Sequence, residues 1–272
     1  MSAFTDLPGK VAVVTGGASG MGKGIAQRLI ASGMQVVIAD IEDVALQRTA
    51  AEIGAVGIRT DVSDQASVST LADQVCRRFG TAHVLCNNAG IGPMARIADL
   101  TIADWRWMIG VNLWGVIHGI EAFLPILREN VEGGHIVNTA SIGGLATMPG
   151  LGAYSVTKYG VVALSETLAQ ELEQEGSRVG VTVLCPGPVR TNIKASSRNR
   201  PKDLGPGGLA DVDLETSDVG AGFRWIEPDD VGAIVVTAML RGDLYAFTHP
   251  EQFEVIEQRF RKIIQAGRAG PP

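Results

Sequence analysis

Residues 11–22 read VAVVTGGASGMG, in which four small apolar side chains lead directly into a glycine-rich turn. Continuous β-branched residues are typical of a strand buried on both faces of a parallel sheet. Glycines after such a strand permit a tight turn, let a pyrophosphate approach the backbone and aim the first amides of a helix at negative charge. The stretch predicts a strand, a phosphate-binding turn and a helix. Because its spacing is T-G-x-x-x-G-x-G and not the common G-x-G-x-x-G, an ordinary glycine-rich turn is a serious alternative when the stretch is taken alone.

Further short apolar runs follow along the chain, separated by longer stretches of helical periodicity. With the first, the predicted strands lie at 10–15, 35–40, 55–60, 83–87, 135–140, 178–185 and 244–248. Strands that alternate with helices imply right-handed crossovers. We therefore predict an α/β fold, a doubly wound, Rossmann-type parallel sheet of about seven strands with helices on both faces, in one domain over residues 1–272.

Two other stretches have a clear local signature. Thr101 and Asp104 resemble the capping box that begins a helix, here one that runs to about residue 130. Residues 193–226 are rich in glycine, proline and charge and break the alternation of strands and helices. A connection of that length inside a compact domain is usually a lid or a disordered segment. We predict a substrate lid at 193–226.

Composition excludes several classes of protein. The formal net charge of −6 and the pI of about 5.3 provide no basic surface for nucleic acid or an anionic membrane. Residues 1–10 lack the apolar stretch of a signal peptide, and no uninterrupted apolar run approaches the length that spans a bilayer. Cys76, Cys86 and Cys185 are too few and too widely spaced for a disulfide framework or a cysteine zinc site. We expect a cytoplasmic protein with a small-molecule ligand and no metal.

Asp40 supplies a second feature of a dinucleotide site. It ends the second predicted strand, about the right distance after the glycine turn for a carboxylate that accepts hydrogen bonds from an adenosine ribose. A carboxylate there repels a 2′-phosphate, and neither Ile41 nor residues 16–22 provide an arginine or lysine to bind one. The pattern favours NAD over NADP, with a solvated strand-end acid as the alternative for Asp40.

Tyr154 and Lys158 are the candidates for the chemistry. At positions i and i+4 of a predicted helix they share one face. A free phenol has a pKa of about 10, and a neighbouring ammonium lowers it, so the pair predicts a tyrosine that acts as general acid and base. Ser141 follows the strand at 135–140, at the edge where ligands bind in open parallel sheets, and its hydroxyl could hold a substrate oxygen. Taken singly, each has a plain alternative, a surface helix pair for Tyr154 and Lys158 and a backbone cap for Ser141.

Several motifs occur together in one order. They are residues 15–22, Asp61-Val62, Asn87-Asn88-Ala89-Gly90, Asn112, Ser141, Tyr154 with Lys158, and residues 186–191. In this order the chain resembles the short-chain dehydrogenase/reductase family in its single-domain form, from residue 10 to about residue 264. The joint order is highly specific, whereas each motif alone is not.

The resemblance implies catalytic and cofactor-binding residues. It implies a catalytic set of Asn112, Ser141, Tyr154 and Lys158, with Asn112 holding a water through a local helix irregularity. It implies that Lys158 also holds the nicotinamide ribose and that the cofactor contacts include Gly16, Ser19, Gly20, Met21, Gly22, Asp40, Asp61, Val62, Asn88, Gly90, Tyr154, Lys158, Val189 and Thr191. Asp61 and Val62 would border the adenine, and Val189 and Thr191 the carboxamide. Members of the family are commonly homodimers or homotetramers.

Apolar residues near Ser141 and Tyr154 suggest a hydrophobic pocket. They are Ile91, Met94, Ile142, Leu145, Met148 and Leu151, although core packing explains each equally well. The leading hypothesis is an NAD-dependent oxidoreductase that acts on a hydrophobic secondary alcohol or ketone. A non-catalytic NAD-binding regulatory module with the same fold is the alternative. A structural interaction protein would require the glycine turn and Asp40 to be coincidental.

Overall fold

Seven strands form one parallel sheet in the computed structural model, which describes residue 4 and residues 6–218 and 220–269. The strands are β1 (Val11–Thr15), β2 (Gln35–Asp40), β3 (Val56–Arg59), β4 (Val84–Asn87), β5 (Gly134–Thr139), β6 (Val179–Cys185) and β7 (Tyr245–Phe247). Their order is β3-β2-β1-β4-β5-β6-β7, and every neighbouring pair is parallel. The predicted doubly wound sheet is confirmed, and each predicted strand end lies within one residue of the observed one.

Helices cover both faces of this sheet. They are α1 (Gly20–Ala31), α2 (Asp43–Ile53), α3 (Gln65–Phe79), α4 (Ile102–Ile109), α5 (Gly115–Glu129), α6 (Gly152–Gln174), α7 (Pro228–Arg241) and α8 (Phe253–Ala269). Helices α1, α2 and α7 share one buried cluster with the sheet, and α3, α5 and α6 share another. Along β1, Ala12 and Val14 belong to the first cluster, whereas Val11 and Val13 belong to the second. This alternation explains why the strand is apolar at every position.

Chain order reverses on either side of β1, since β2 lies on one side and β4 on the other. The loops after β1 and β4 therefore leave the sheet in opposite directions and open a crevice at its carboxyl edge, where open α/β sheets bind ligands. Thr15 bridges the two loops, because its Oγ1 accepts hydrogen bonds from the amides of Asn88 at 3.0 Å and Ala89 at 3.1 Å.

The helix that begins at Thr101 has the predicted capping box, in which Thr101 and Asp104 each accept a bond from the other's backbone amide. It is not one regular helix to residue 130, because a π-helical turn at Gly110–Trp114 separates α4 from α5. Taken through that turn, Ile102–Glu129 is 28 residues long, and an 18-residue window within it has a mean hydropathy of 1.4, although no such window was expected from the sequence. A single helix of this kind is a weak indication of a membrane span. In this structure Phe123 and Leu127 are fully buried against the sheet.

The segment 193–226 is built from short 3₁₀ turns, among them Asn192–Asn199, Lys202–Leu204 and Leu214–Thr216. Residue 219 of this predicted lid, like residues 1–3, 5 and 270–272 of the predicted domain, lies outside the described residues. A bridge between Met94 and Ala210 and an ion pair between Arg200 and the fully buried Asp104, at 2.7 Å, attach the segment to the rest of the fold.

Hydrogen bonding explains how Asp104 stays charged at that buried position. Burial opposes its ionisation, but bonds from Thr101, Gly208 and Arg200 outweigh this and lower the pKa of Asp104 to about 2. One carboxylate therefore caps α4 and also holds the segment 193–226.

Candidate active site

The turn after β1 has the backbone geometry that the glycines predict. Gly16 and Gly20 have φ angles of +66° and +52°, in the left-handed region that favours glycine. A methyl group added at Gly22 would overlap the carbonyl oxygen of Gly16 and lie 2.6 Å from Asn88 Nδ2. Ser19 precedes α1 and makes no side-chain cap bond, and no acidic residue occupies the first turn of α1. The free amides at this helix end therefore create a positive potential in the cleft, which is suited to a phosphate.

Asp40 ends β2 beside this turn. Its Oδ2 accepts a hydrogen bond from the amide of Ala18 and its Oδ1 one from the amide of Glu42, both at 3.1 Å. Burial raises the pKa of Asp40, partly offset by these two bonds. The bonds fix the direction of the carboxylate and leave lone pairs on both oxygens for further donors.

One cleft contains most of the predicted cofactor residues. This cleft, which we call the glycine-turn cleft, has a volume of about 1050 Å³ including its open mouth. Its walls include Gly16, Ser19, Gly20, Met21, Asp40, Asp61, Val62, Asn88, Gly90, Tyr154, Lys158 and Thr191. Of the other predicted contacts, Gly22 is buried against Gly16 at the start of α1, and Val189 lines a neighbouring cleft.

Two buried polar atoms in the glycine-turn cleft have no hydrogen-bond partner among the described residues. They are Asn88 Oδ1 and Thr139 Oγ1. Buried polar groups normally have a partner, so these atoms suit a ligand rich in hydroxyl and amide groups. Together with the free helix amides and the Asp40 carboxylate, they fit a nicotinamide dinucleotide.

Tyr154 and Lys158 lie on the same face of the first turns of α6. Lys158 Nζ is 5.6 Å from the centre of the Tyr154 ring and donates a hydrogen bond to the carbonyl of Thr139 at 2.8 Å. Ser141, which follows β5 after one residue, is hydrogen-bonded to the Tyr154 phenol. The sequence-based expectation that the three side chains converge at the carboxyl edge of the sheet is therefore met in their positions.

Their ionisation differs from the sequence-based expectation. Burial raises the pKa of Tyr154, and the hydrogen bond with Ser141 opposes this only in part. Burial lowers the pKa of Lys158 to about 8. The predicted lowering of the phenol's pKa by the ammonium is not found, because desolvation outweighs the other influences on a phenol at this depth.

Asn112 lies in the π-helical turn between α4 and α5 and is fully buried. Its Oδ1 accepts from the amide of Ile91 at 2.8 Å and its Nδ2 donates to the carbonyl of Ile91 at 2.9 Å. A methyl group added at Gly90 would lie 3.3 Å from Asn112 Oδ1 and 3.7 Å from Lys158 Nζ. The irregular turn thus brings Asn112 to the loop beside Lys158, where its side chain fixes that loop.

A second cleft, which we call the apolar cleft, adjoins the first and has a volume of about 1580 Å³ including its open mouth. Four residues line both clefts, namely Met21, Tyr154, Thr191 and Ile193. Of the predicted pocket residues, Met94, Ile142, Met148 and Leu151 line the apolar cleft. The prediction was wrong for Leu145, which packs in a core cluster with β6 and α6, and for Ile91, which lines the glycine-turn cleft.

Sequence reasoning missed the residues that reach the clefts from distant parts of the chain. In the glycine-turn cleft these include Glu42, Trp107, Ser196, Arg198 and Asn199, and in the apolar cleft Val212, Leu214, Phe223, Trp225 and Val255. For the missed residues within 193–226, the only signal in the sequence was the irregular composition of that segment. It indicated a lid without indicating which of its side chains point inward.

The chain matches known proteins over most of its length. Residues 10–202 match the model of the short chain dehydrogenase family. The chain is 33% identical over 268 residues to the C alpha-dehydrogenase of Sphingobium sp. (strain NBRC 103272 / SYK-6), with 96% of this chain and 87% of the relative covered. It is 31% identical over 273 residues to the CLA biosynthesis dehydrogenase/reductase of Lactiplantibacillus plantarum, with 96% of each covered.

A solved structure agrees with these sequence matches. The crystal structure of a short chain dehydrogenase/reductase from Burkholderia phymatum in complex with NAD superposes with a TM-score of 0.88 at 36% identity, and 96% of each chain is covered.

Proposed function

The chain belongs to the short chain dehydrogenase family, and from that premise we propose that it is an NAD-dependent oxidoreductase of secondary alcohols and ketones. The observation that carries this proposal is the position of Tyr154, which lines both the glycine-turn cleft and the apolar cleft. Lys158 lines the first cleft and Ser141 the second. A phenol between a dinucleotide and an apolar substrate is placed to move a proton while a hydride crosses between the two.

The proposed chemistry follows from these positions. In alcohol oxidation the ionised Tyr154 oxygen would accept the hydroxyl proton, and bound NAD+ would supply the acceptor for the hydride that leaves the carbon. In ketone reduction Tyr154 donates that proton. Ser141, hydrogen-bonded to Tyr154, would hold the reacting oxygen and stabilise the charge that develops on it.

Positive charge is needed beside the phenol. Burial raises the pKa of Tyr154 and lowers that of Lys158 to about 8, so the ammonium alone does not make the phenol acidic. Oxidised NAD supplies the hydride acceptor and a second positive charge when bound. Lys158 would hold the ribose hydroxyls, and Asn112 would keep the loop at Gly90 and Ile91 in place beside Lys158.

The preference for NAD rests on Asp40. Its carboxylate is oriented by the amides of Ala18 and Glu42 and points into the glycine-turn cleft. It would accept the adenosine ribose hydroxyls and repel a 2′-phosphate at the same place.

The apolar cleft favours a bulky, uncharged substrate. Its walls include the side chains of Met94, Met148, Phe223 and Trp225. The cations on its rim are paired, Lys194 with Asp213 at 2.6 Å and Arg190 with Glu215 at 2.8 Å. Paired charges leave no free partner for an anionic or cationic substrate, so aryl or cyclic secondary alcohols suit it better than small polyols.

Further parts of the proposal concern the chain as a whole. We propose that it is a single domain with a substrate lid at 193–226, that it acts as a homodimer or homotetramer in the cytoplasm, and that it binds neither nucleic acid nor membrane. The lid proposal is supported by Thr191 and Ile193, which line both clefts at the point where this segment begins.

The test is an activity screen with NAD+ and NADP+ over aryl, cyclic and aliphatic secondary alcohols, with small polyols as the contrast. We expect turnover with NAD+ and the bulkier alcohols. Binding of NADH without turnover of any alcohol or ketone would favour the regulatory module, and absence of NADH binding would reject both readings. A clear preference for polyols, or a tenfold preference for NADP+, would contradict the substrate and cofactor assignments respectively.

A further inference from the structure

Glu42 and Arg198 meet at the adenosine end of the glycine-turn cleft. Glu42 lies two residues beyond Asp40, and Arg198 comes from the 3₁₀ turn Asn192–Asn199, 156 positions further along the chain. Glu42 Oε1 accepts bonds from Arg198 Nη2 at 2.6 Å, Arg198 Nε at 3.1 Å and Asn199 Nδ2 at 3.0 Å. Glu42, Arg198, Asn199 and Asp40 all line this cleft.

The guanidinium of Arg198 is held on two sides. Its Nη1 donates to the backbone carbonyls of Asn192 at 3.2 Å and Ala195 at 2.5 Å, while Nε and Nη2 face Glu42. These bonds lower the pKa of Glu42, so the carboxylate is ionised at neutral pH. The pair contributes no net charge to the wall, and the carboxylates of Asp40 and Asp61 line this cleft without an ion-pair partner among the described residues.

Two cations line the glycine-turn cleft among the described residues, Lys158 beside Tyr154 and Arg198 beside Glu42. Only Arg198 lies at the β2 end, with Asp40. An arginine at the position of an adenosine 2′-phosphate is the usual means of binding NADP. The chain therefore carries the cation that NADP requires at that end of the cleft, but in a neutralised form.

We propose that Glu42 is a specificity-determining residue that neutralises Arg198 and so withholds from NADP the cation that would bind its 2′-phosphate. The inference rests on the proposed dinucleotide site and adds a second element to the discrimination by Asp40. Asp40 repels the 2′-phosphate directly, whereas Glu42 removes the attraction that would offset this repulsion.

The experiment compares dissociation constants for NADH and NADPH, measured by the change in nucleotide fluorescence on binding. The proteins are the wild type, Glu42→Gln, Arg198→Gln and the double variant. Glutamine keeps the size and an acceptor oxygen of Glu42, whose side chain does not cap α2. In Glu42→Gln we expect the ratio of Kd(NADPH) to Kd(NADH) to fall about tenfold, since a freed guanidinium faces a phosphate of nearly two negative charges.

The variants of Arg198 show whether a change of this ratio in Glu42→Gln comes from the freed arginine. In the double variant the ratio is expected to return to within about twofold of the wild type, because the gain in Glu42→Gln comes from the freed arginine. Arg198→Gln alone is expected to leave the ratio unchanged. If the double variant keeps the gain, the effect is only the loss of a negative charge and the proposal is wrong. It is also wrong if Glu42→Gln leaves the ratio unchanged.

A matched control separates local from general effects. Glu175→Gln removes the same charge from an exposed pair with Arg128, bonded at 2.5 Å, at the far end of α6, and should leave the ratio unchanged. A thermal melt and near-UV circular dichroism check folding, and Glu42→Ser replaces Glu42→Gln if the latter is unstable. A wild type that does not bind NADH would reject the proposed function itself, whereas NADH binding with an unaltered ratio in Glu42→Gln rejects only the role of Glu42.

Discussion

The two clefts that meet at Tyr154 are lined by different parts of the chain. The glycine-turn cleft is formed largely by the loops that directly follow β1, β2, β3 and β4, and hydrogen bonds between Thr15 and Asn88 connect two of these loops. The apolar cleft is formed by the stretches that follow β5 and β6, by side chains of the segment 193–226 such as Phe223 and Trp225, and by Val255 of α8. Backbone at the end of a sheet is fixed by the sheet itself, whereas side chains on an irregular segment depend on how that segment is anchored.

This contrast assigns different roles to the two halves of the site. A rigid backbone cradle suits a ligand whose phosphates and ribose do not vary, and a wall of loop side chains suits a specificity that can vary without altering the chemistry. Changes at Tyr154, the junction of the two clefts, should therefore abolish turnover. Changes in either wall should affect mainly the ligand of that wall.

The largest effect is expected at the junction. Tyr154→Phe removes the hydroxyl that transfers the proton, so kcat should fall about 1000-fold while Kd for NADH stays within about twofold, because the ring keeps its packing. Steady-state kinetics and nucleotide fluorescence measure the two quantities. Tyr159→Phe, five residues further along α6 and absent from both cleft walls, is the matched control and should keep its activity. Retention of most of the turnover in Tyr154→Phe would remove the tyrosine from the mechanism.

The next effect concerns the ion pair between Asp104 and Arg200, which attaches the segment 193–226 to the rest of the fold. Asp104→Asn weakens the buried pair with Arg200, and we expect a loss of about 3 kcal/mol in the free energy of unfolding. KM for the alcohol should rise because the segment 193–226 loses its attachment. Urea unfolding monitored by fluorescence provides the free energy.

The contribution of this ion pair to the free energy of unfolding depends on pH with a defined sign. The pKa of Asp104 is about 2 in the folded protein, below the value of about 3.9 for a free aspartate. Its stabilising contribution is therefore fully present above pH 4 and is lost as pH falls through 2. The difference in unfolding free energy between wild type and Asp104→Asn should shrink from pH 5 to pH 2, and a constant difference would show that ionisation of Asp104 contributes nothing.

On the cofactor side, Gly22→Ala should weaken NADH binding roughly 30-fold, because the added methyl group collides with the backbone that the pyrophosphate must approach. The matched control is Gly222→Ala in the segment 193–226, where an added methyl group has no atom within 4 Å and the backbone is not left-handed. Equal NADH affinity in the two variants would refute the idea that the turn is a close-fitting cradle.

The smallest effect is expected in the apolar wall. Trp225→Ala should raise KM for an aryl alcohol about fivefold through lost apolar contact area, with Kd for NADH unchanged. An aliphatic alcohol such as 2-propanol, which has no ring to pack against Trp225, serves as the internal control. A parallel loss of NADH affinity would show that the two clefts do not act as separate halves.

Much of the fold could be predicted because its signals are local. Four consecutive apolar residues identify β1, Thr101 and Asp104 identify the start of α4, and the strand ends lie within one residue of the predicted ones. The positions of Asp40, Ser141, Tyr154 and Lys158 at one edge also follow from local order, because carboxyl ends of parallel strands share an edge and residues i and i+4 share a helix face.

By itself, then, the sequence determined the sheet, the glycine turn and the common face of Tyr154 and Lys158, since each depends on backbone periodicity over a few residues. Only the tertiary structure decided that Arg198 pairs with Glu42, that Leu145 packs in the core and that burial raises the pKa of Tyr154. The physical reason is that residues 193–226 have no periodicity to place their side chains, and that a pKa depends on the depth of a group and on its neighbours, which chain order does not specify.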